Sequence, residues 1–190
     1  MADEELIELL TIATDALTHE GIEYAITGSF ASGLWGEPHT SHHVDLLVRM
    51  TPEQAAALAR KLPPRLYRSE EALVQAARVH AMADLIDAKT TLKLDLSAWG
   101  FGEYQDEVFR RRVPLRLGPD SPEFLLASPE DVILMKLVWR KDTGSRKQWA
   151  DALGVVRVQR VRLDWKYLFQ QARVLGVEAD LTALRDEGGI

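Results

Sequence analysis

The sequence contains no cysteine. Disulfides, thiolate metal sites and a cysteine nucleophile are therefore excluded. No apolar run approaches the ~20 residues needed to span a bilayer. The opening stretch, MADEELIELL, is acidic and amphipathic, where a secretory leader would be basic and then apolar. These absences point to a cytoplasmic protein with no membrane partner. Positive charge is also in deficit, with a net charge of -6. That weighs against general nucleic-acid binding, which rests on neutralising phosphates. Repeats and low-complexity segments are missing too. What is present is an apolar fraction of 46% over 190 residues, ample for a buried core and against disorder. The charge is uneven: FRRRVPLRL and WRKDTGSRKQW are basic, while both ends of the chain are acidic, so a local basic site stays open.

Periodicity and punctuation give the elements. Leu6, Leu9, Leu10, Ala13 and Leu17 recur at helical spacing. EYAIT reads as a short buried strand that runs into Gly28-Ser29, and SFASGLW as a short helix. HVDLLVRM is a second strand, apolar enough to be buried on both faces. Thr51 and Pro52 open a helix over TPEQAAALARKL, and Ser69 caps another over SEEALVQAARVHAM. DLIDA and TLKLDLSAW form a hairpin, the second strand placing Lys93, Asp95 and Ser97 on one face. VPLRL and EFLLA are further strands. Ser128, Pro129 and Asp131 begin a helix with a capping box, and 146–187 is helical in pattern. The expected fold is α/β: a short mixed sheet with flanking helices over 1–127, followed by a helical segment over 128–190 packed on it.

One ordered set of residues carries chemistry. Gly28 allows close backbone approach. The start of the following helix favours an anion, and Ser29 adds a hydroxyl, which suits a phosphate. Asp45 projects from the next strand and Asp95 from a later one. Two carboxylates beside a phosphate cradle suit Mg²⁺, which takes oxygen ligands and substrate phosphates. Taken singly, a Gly-Ser turn or a strand aspartate is structural more often than functional. The order of the set is what points to a nucleotide.

In that order the sequence resembles the nucleotidyltransferase superfamily, which includes antibiotic nucleotidyltransferases, minimal nucleotidyltransferases and the nucleotidyltransferase toxins of abortive-infection systems. Gly28-Ser29 matches the family's turn, Asp45 the second carboxylate of its Asp-x-Asp strand, and Asp95 in LKLDL its third acidic residue. SPEDVILMKLVWRK resembles a following helix whose lysine, here Lys136, faces the nucleotide phosphates. RKQWADALGVV resembles the next helix, where an aspartate, here Asp151, recurs. The resemblance covers about residues 20–158. It implies transfer of a nucleoside monophosphate from a nucleoside triphosphate to an acceptor, with release of pyrophosphate. The paired carboxylates would hold the metal ions, and the third acidic residue would help activate the acceptor hydroxyl.

The departure from the pattern is His43, which stands where the first carboxylate of the pair belongs. His39 likewise stands where relatives carry an arginine. Imidazole suits Zn²⁺, Mn²⁺ or Ni²⁺ better than Mg²⁺. It leaves two carboxylates beside a triphosphate of about four negative charges. His43 and Asp45 share a face, so His43 is either a metal ligand or a hydrogen-bonded neighbour of Asp45. His42 points the other way and, like His39, reads as a surface residue. Lys136 and Arg140, spaced i, i+4, either contact the triphosphate or pair with acidic neighbours such as Asp131 or Glu130. FRRRVP reads as a charged edge strand ahead of a phosphate-tracking segment, and Trp139, Trp149 and Trp165 as core.

Two functions therefore stand side by side. One is a nucleotidyltransferase-like enzyme using Asp45, Asp95 and His43 with Mg²⁺ or Mn²⁺, and Gly28, Ser29, Lys136 and Arg140 on the nucleotide. Its acceptor is not given by the sequence. The other is a catalytically impaired nucleotide-binding or partner-binding protein, such as the inactive half of a toxin–antitoxin or defence pair.

Overall fold

A computed structural model describes residues 4–39, 41, 43–100 and 102–190. In chain order the elements are α1 (Glu4–His19), β1 (Glu23–Thr27), α2 (Gly28–Trp35), β2 (His43–Arg49), α3 (Pro52–Lys61), β3 (Leu66–Tyr67), α4 (Glu70–Val79), β4 (Met82–Asp87), β5 (Lys93–Ala98), α5 (Glu103–Arg110), β6 (Val113–Arg116), β7 (Glu123–Leu126), α6 (Pro129–Thr143), α7 (Arg146–Gln159), a 3₁₀ turn (Arg160–Arg162), α8 (Trp165–Leu175) and α9 (Glu178–Glu187). They divide into two compact units. The first is Met1–Ile26 with His42–Leu126, and the second is Thr27–Ser41 with Ala127–Ile190.

The first unit is built on a seven-stranded sheet of order β3-β4-β5-β2-β1-β7-β6. β2 pairs with β5 and β1 with β7 in parallel; β3–β4, β4–β5 and β6–β7 are antiparallel. The sheet is thus mixed, as expected, and the hairpin over 82–98 is β4–β5. Val44, Leu46, Leu47 and Val48 of β2 are buried on both faces, which explains the near-continuous apolar run of that strand. Local signals set the helices. Thr51 and Gln54 form a reciprocal capping box at α3, and Ser69 Oγ accepts from Ala72 N at α4. The basic run splits differently from a plain edge strand. Phe109 and Arg110 end the unexpected helix α5, while Val113–Arg116 is the edge strand β6. Arg112 folds inward, donating to Tyr24 O (2.9 Å), Phe109 O (2.6 Å) and Glu23 Oε1 (3.2 Å).

The second unit gathers α2 with α6–α9. Residues 130–137 of α6 are buried on every side, so its polar residues are each tied down. Asp131 accepts from Tyr167 Oη (2.6 Å) and Ser128 Oγ (2.7 Å), and Glu130 Oε1 accepts from Asp164 N (2.9 Å). A Cβ on Gly36 would stand 2.6 Å from Val155 N, so only glycine lets the end of α2 lie against α7. The three tryptophans expected in the core are half-buried instead. Trp149 shows why: its indole N–H donates to Glu187 Oε2 (2.9 Å) and the Arg140 guanidinium lies over its ring at 4.7 Å. An indole whose N–H needs a partner sits best where the apolar interior meets polar groups. Among the described residues no helix is long and apolar enough to cross a membrane.

The turn between β4 and β5 hangs on one carboxylate. Asp87 is fully buried and accepts both arms of Arg65 (2.7 and 2.6 Å), the Thr90 hydroxyl (2.7 Å) and the Lys89 N–H (3.0 Å). The Arg65 guanidinium, above all, holds the Asp87 carboxyl far below the usual carboxylate range. A depressed carboxyl contributes stability that is present above its unfolded pKa and lost as pH falls. Asp87→Asn is expected to cost about 3 kcal/mol near pH 7. The difference from the parent protein should shrink towards pH ~3 in urea titrations run at both values.

Candidate functional site

The residues singled out from the sequence fall into two clusters, one in each unit. The first lies on β2 and β5. Their parallel register sets Asp45 beside Asp95 and His43 beside Lys93, all on one face because register partners in a sheet share a side. His43, Asp45 and Asp95 each present a ligand atom, and these atoms lie within 4.8 Å of one another. His43 Nε2 stands 3.8 Å from Asp45 Oδ2 and 3.8 Å from Asp95 Oδ2. The cluster grades from solvent to interior: His43 is exposed, Asp45 half-buried and Asp95 buried. His42 lies outside the described residues.

Two further residues belong to this face and were not foreseen. β4 sets Asp84 opposite Asp95, so three aspartates stand in a row across adjacent strands. Lys93 reaches into the row. Its Nζ is 2.9 Å from Asp95 Oδ1 and 3.5 Å from Asp84 Oδ2. The Asp95 carboxylate, 2.9 Å away, raises the Lys93 ammonium above the usual lysine range, outweighing its partial burial. The alternation of LKLDL placed Lys93 on the face of Asp95, and that was the available signal.

One imidazole nitrogen and two carboxylates make a donor set that fits a divalent ion. Oxygen donors suit Mg²⁺ and Mn²⁺, and the imidazole shifts preference away from Mg²⁺.

The second cluster begins at α2. Gly28 opens the helix with φ +68°, a backbone conformation that a side chain would strain. Thr27, at the N-cap, turns its hydroxyl to Met135 Sδ (3.6 Å) and makes no side-chain bond to the helix start. Ser29 Oγ accepts from Lys147 Nζ (2.6 Å) and Lys136 Nζ (3.4 Å) and donates to Asp151 Oδ2 (3.4 Å). Lys136, only 1% exposed, pairs with Asp151 Oδ2 at 2.7 Å, and Lys147 joins at 3.0 Å. His39 Nε2 lies 4.0 Å from the other Asp151 oxygen. Burial works to raise the Asp151 carboxyl, but the hydrogen bonds from Lys136 and Lys147 win and hold it below the usual range. The result is a buried carboxylate with two ammonium groups around it and the start of α2 alongside.

Arg140 does not join this cluster. It pairs with Asp180 at 2.8 Å and stacks over Trp149. Lys147 was missed, although its i, i+4 spacing to Asp151 was visible in KQWAD.

No protein-family model matches the chain, and a search of curated proteins finds no match. Solved structures do match. One is a nucleotidyltransferase-like protein from Paracoccidioides brasiliensis, 18% identical, with a TM-score of 0.53 over 98% of this chain and 94% of that one. Another is the antibiotic-resistance factor ANT(2'')-Ia, 12% identical, with a TM-score of 0.58 over 96% of this chain and 94% of that one. At these identities the likeness is one of fold.

Removing the Asp151 charge should leave the buried Lys136 ammonium uncompensated. Asp151→Asn is expected to lower stability by about 3 kcal/mol. Lys147→Met, on the exposed arm, should change it by less than about 1 kcal/mol. Urea denaturation of the two variants checks the contrast.

Proposed function

We propose that this chain is a nucleotidyltransferase-like protein that binds a nucleoside triphosphate with a divalent ion and transfers the nucleoside monophosphate to an acceptor hydroxyl. The observation that carries the reading is the register of β2 with β5. It sets Asp45, Asp95 and His43 together on one sheet face, in a fold similar to nucleotidyltransferase-like structures.

Asp45, Asp95 and His43 would hold the ion, and the ion would supply charge neutralisation on the phosphates. The acceptor oxygen forms a bond to the α-phosphorus while the bond to the β-phosphate bridging oxygen breaks, and pyrophosphate leaves. Asp95 takes the role of drawing the proton from the acceptor hydroxyl. The first turn of α2, with Gly28 and Ser29, offers N–H and hydroxyl groups to phosphate oxygens. Lys136 and Lys147 supply positive charge, and Arg140 supports that helix through Asp180. Mn²⁺ suits the imidazole of His43 better than Mg²⁺ does. The acidic chain favours a small or protein acceptor over a large RNA.

A second reading has its own support. Asp151 already pairs with both lysines that would meet the triphosphate, and His43 offers no charge where the family carries a charged ligand. Both support nucleotide binding without turnover, in a protein that acts through a partner.

Calorimetric titration with each nucleoside triphosphate, in Mg²⁺ and then Mn²⁺, tests the first reading. Binding should require the ion, be tighter with Mn²⁺, and weaken at least about tenfold in Asp45→Asn. His43→Asp should narrow the preference for Mn²⁺. A folded protein that binds no nucleotide with either ion overturns the reading.

A further inference from the structure

We infer that the β2–β5 face takes a single divalent ion, because the Lys93 ammonium occupies the place of a second. The inference rests on the metal reading above and adds a residue to it.

Lys93 Nζ lies 2.9 Å from Asp95 Oδ1, and Asp95 Oδ2 faces His43 at 3.8 Å. The two oxygens of this buried carboxylate are thus divided, one to the ammonium and one to the His43–Asp45 side. A second ion would need to sit about 2.0–2.6 Å from Oδ1, in the volume where the ammonium already is. The same ammonium, 3.5 Å from Asp84 Oδ2, also spans the next carboxylate of the row. It bridges the pair of aspartates that register sets across β4 and β5.

Charge agrees with position. Taking Asp45, Asp84, Asp95 and Lys93 together, with the imidazole counted as uncharged, three carboxylates against one ammonium leave two negative charges. One divalent ion balances them. Two would leave an excess of two positive charges within a few ångströms, and like charges that close repel by about 1 kcal/mol per pair of unit charges even in water. Lys93 is a positioning residue in this account: it holds Asp95 and confines the ion to the His43–Asp45 side.

The test is the count of Mn²⁺ ions bound per chain, read from the free-ion paramagnetic resonance signal. The protein as it stands should bind one. Lys93→Met, a change at a 37% exposed side chain, should bind two. The second ion should be lost again in Lys93→Met with Asp84→Asn, and Lys93→Arg should bind one. Two ions on the unaltered protein, or one on Lys93→Met, overturn the inference and leave the metal reading standing. Binding by Lys93→Met alone overturns it as well, since Lys93 would then exclude metal altogether. No ion on any of the four proteins overturns both.

Discussion

The parallel pairing of β2 with β5 is the constraint on which the candidate site depends. Side chains alternate along a strand, so a slip of one residue would turn Asp45 away from Asp95 and take His43 with it. Burial prevents the slip. Val44 and Leu46 alternate with Asp45 on β2, as Leu94 and Leu96 flank Asp95 on β5, and all four are buried. Exchanging faces would bury charge and expose leucine. β2 and β5 are separated in sequence by α3, β3, α4 and β4, so this pairing is non-local. The buried Asp87 network closes the turn that delivers β5 to it. The geometry of a few polar atoms is thus held by apolar packing and by one hidden carboxylate.

Charge is handled in opposite ways in the two units. On the β2–β5 face, carboxylates outnumber the one ammonium, which leaves a demand for a cation. Around Ser29, two ammonium groups share one carboxylate, which leaves a demand for an anion. Burying Lys136 and Asp151 is costly, and a well-packed apolar pair would serve stability as well or better. A pair kept in spite of that cost, at the start of a helix whose N-cap side chain looks elsewhere, fits a role for its charge.

Much of this was legible in the sequence, and the reasons differ by residue. Thr51, Ser69 and Ser128 announced their helices because capping is local chemistry over three or four positions. Asp45 and Asp95 were visible because each interrupts an apolar strand. Asp84 was not, since its place opposite Asp95 comes from antiparallel register, which depends on how the turn over residues 88–92 closes. The helix α5 was hidden behind a run of arginines that looked like a strand edge. Arg140 shared a helix face with Lys136 on paper, but it is drawn to Asp180, forty positions away, and spacing within one helix says nothing of such a partner. His39 looked like a surface residue, and only the fold brings it within 4.0 Å of Asp151.

His43 and Lys93 gain meaning from being register partners. Had position 43 carried a carboxylate, it would have added a fourth carboxylate to this face as the register partner of Lys93, in competition with Asp95 and Asp84 for the one ammonium. An imidazole offers a lone pair without that competition, because it holds no full negative charge to surrender. The imidazole on β2 and the ammonium on β5 are thus two sides of one arrangement. A face that holds one ammonium and one divalent ion needs fewer negative ligands than a face that holds two divalent ions. On the proposed metal reading the imidazole of His43 suits its register partner, and Asp84, Lys93, Asp95, Asp45 and His43 share one face of the sheet.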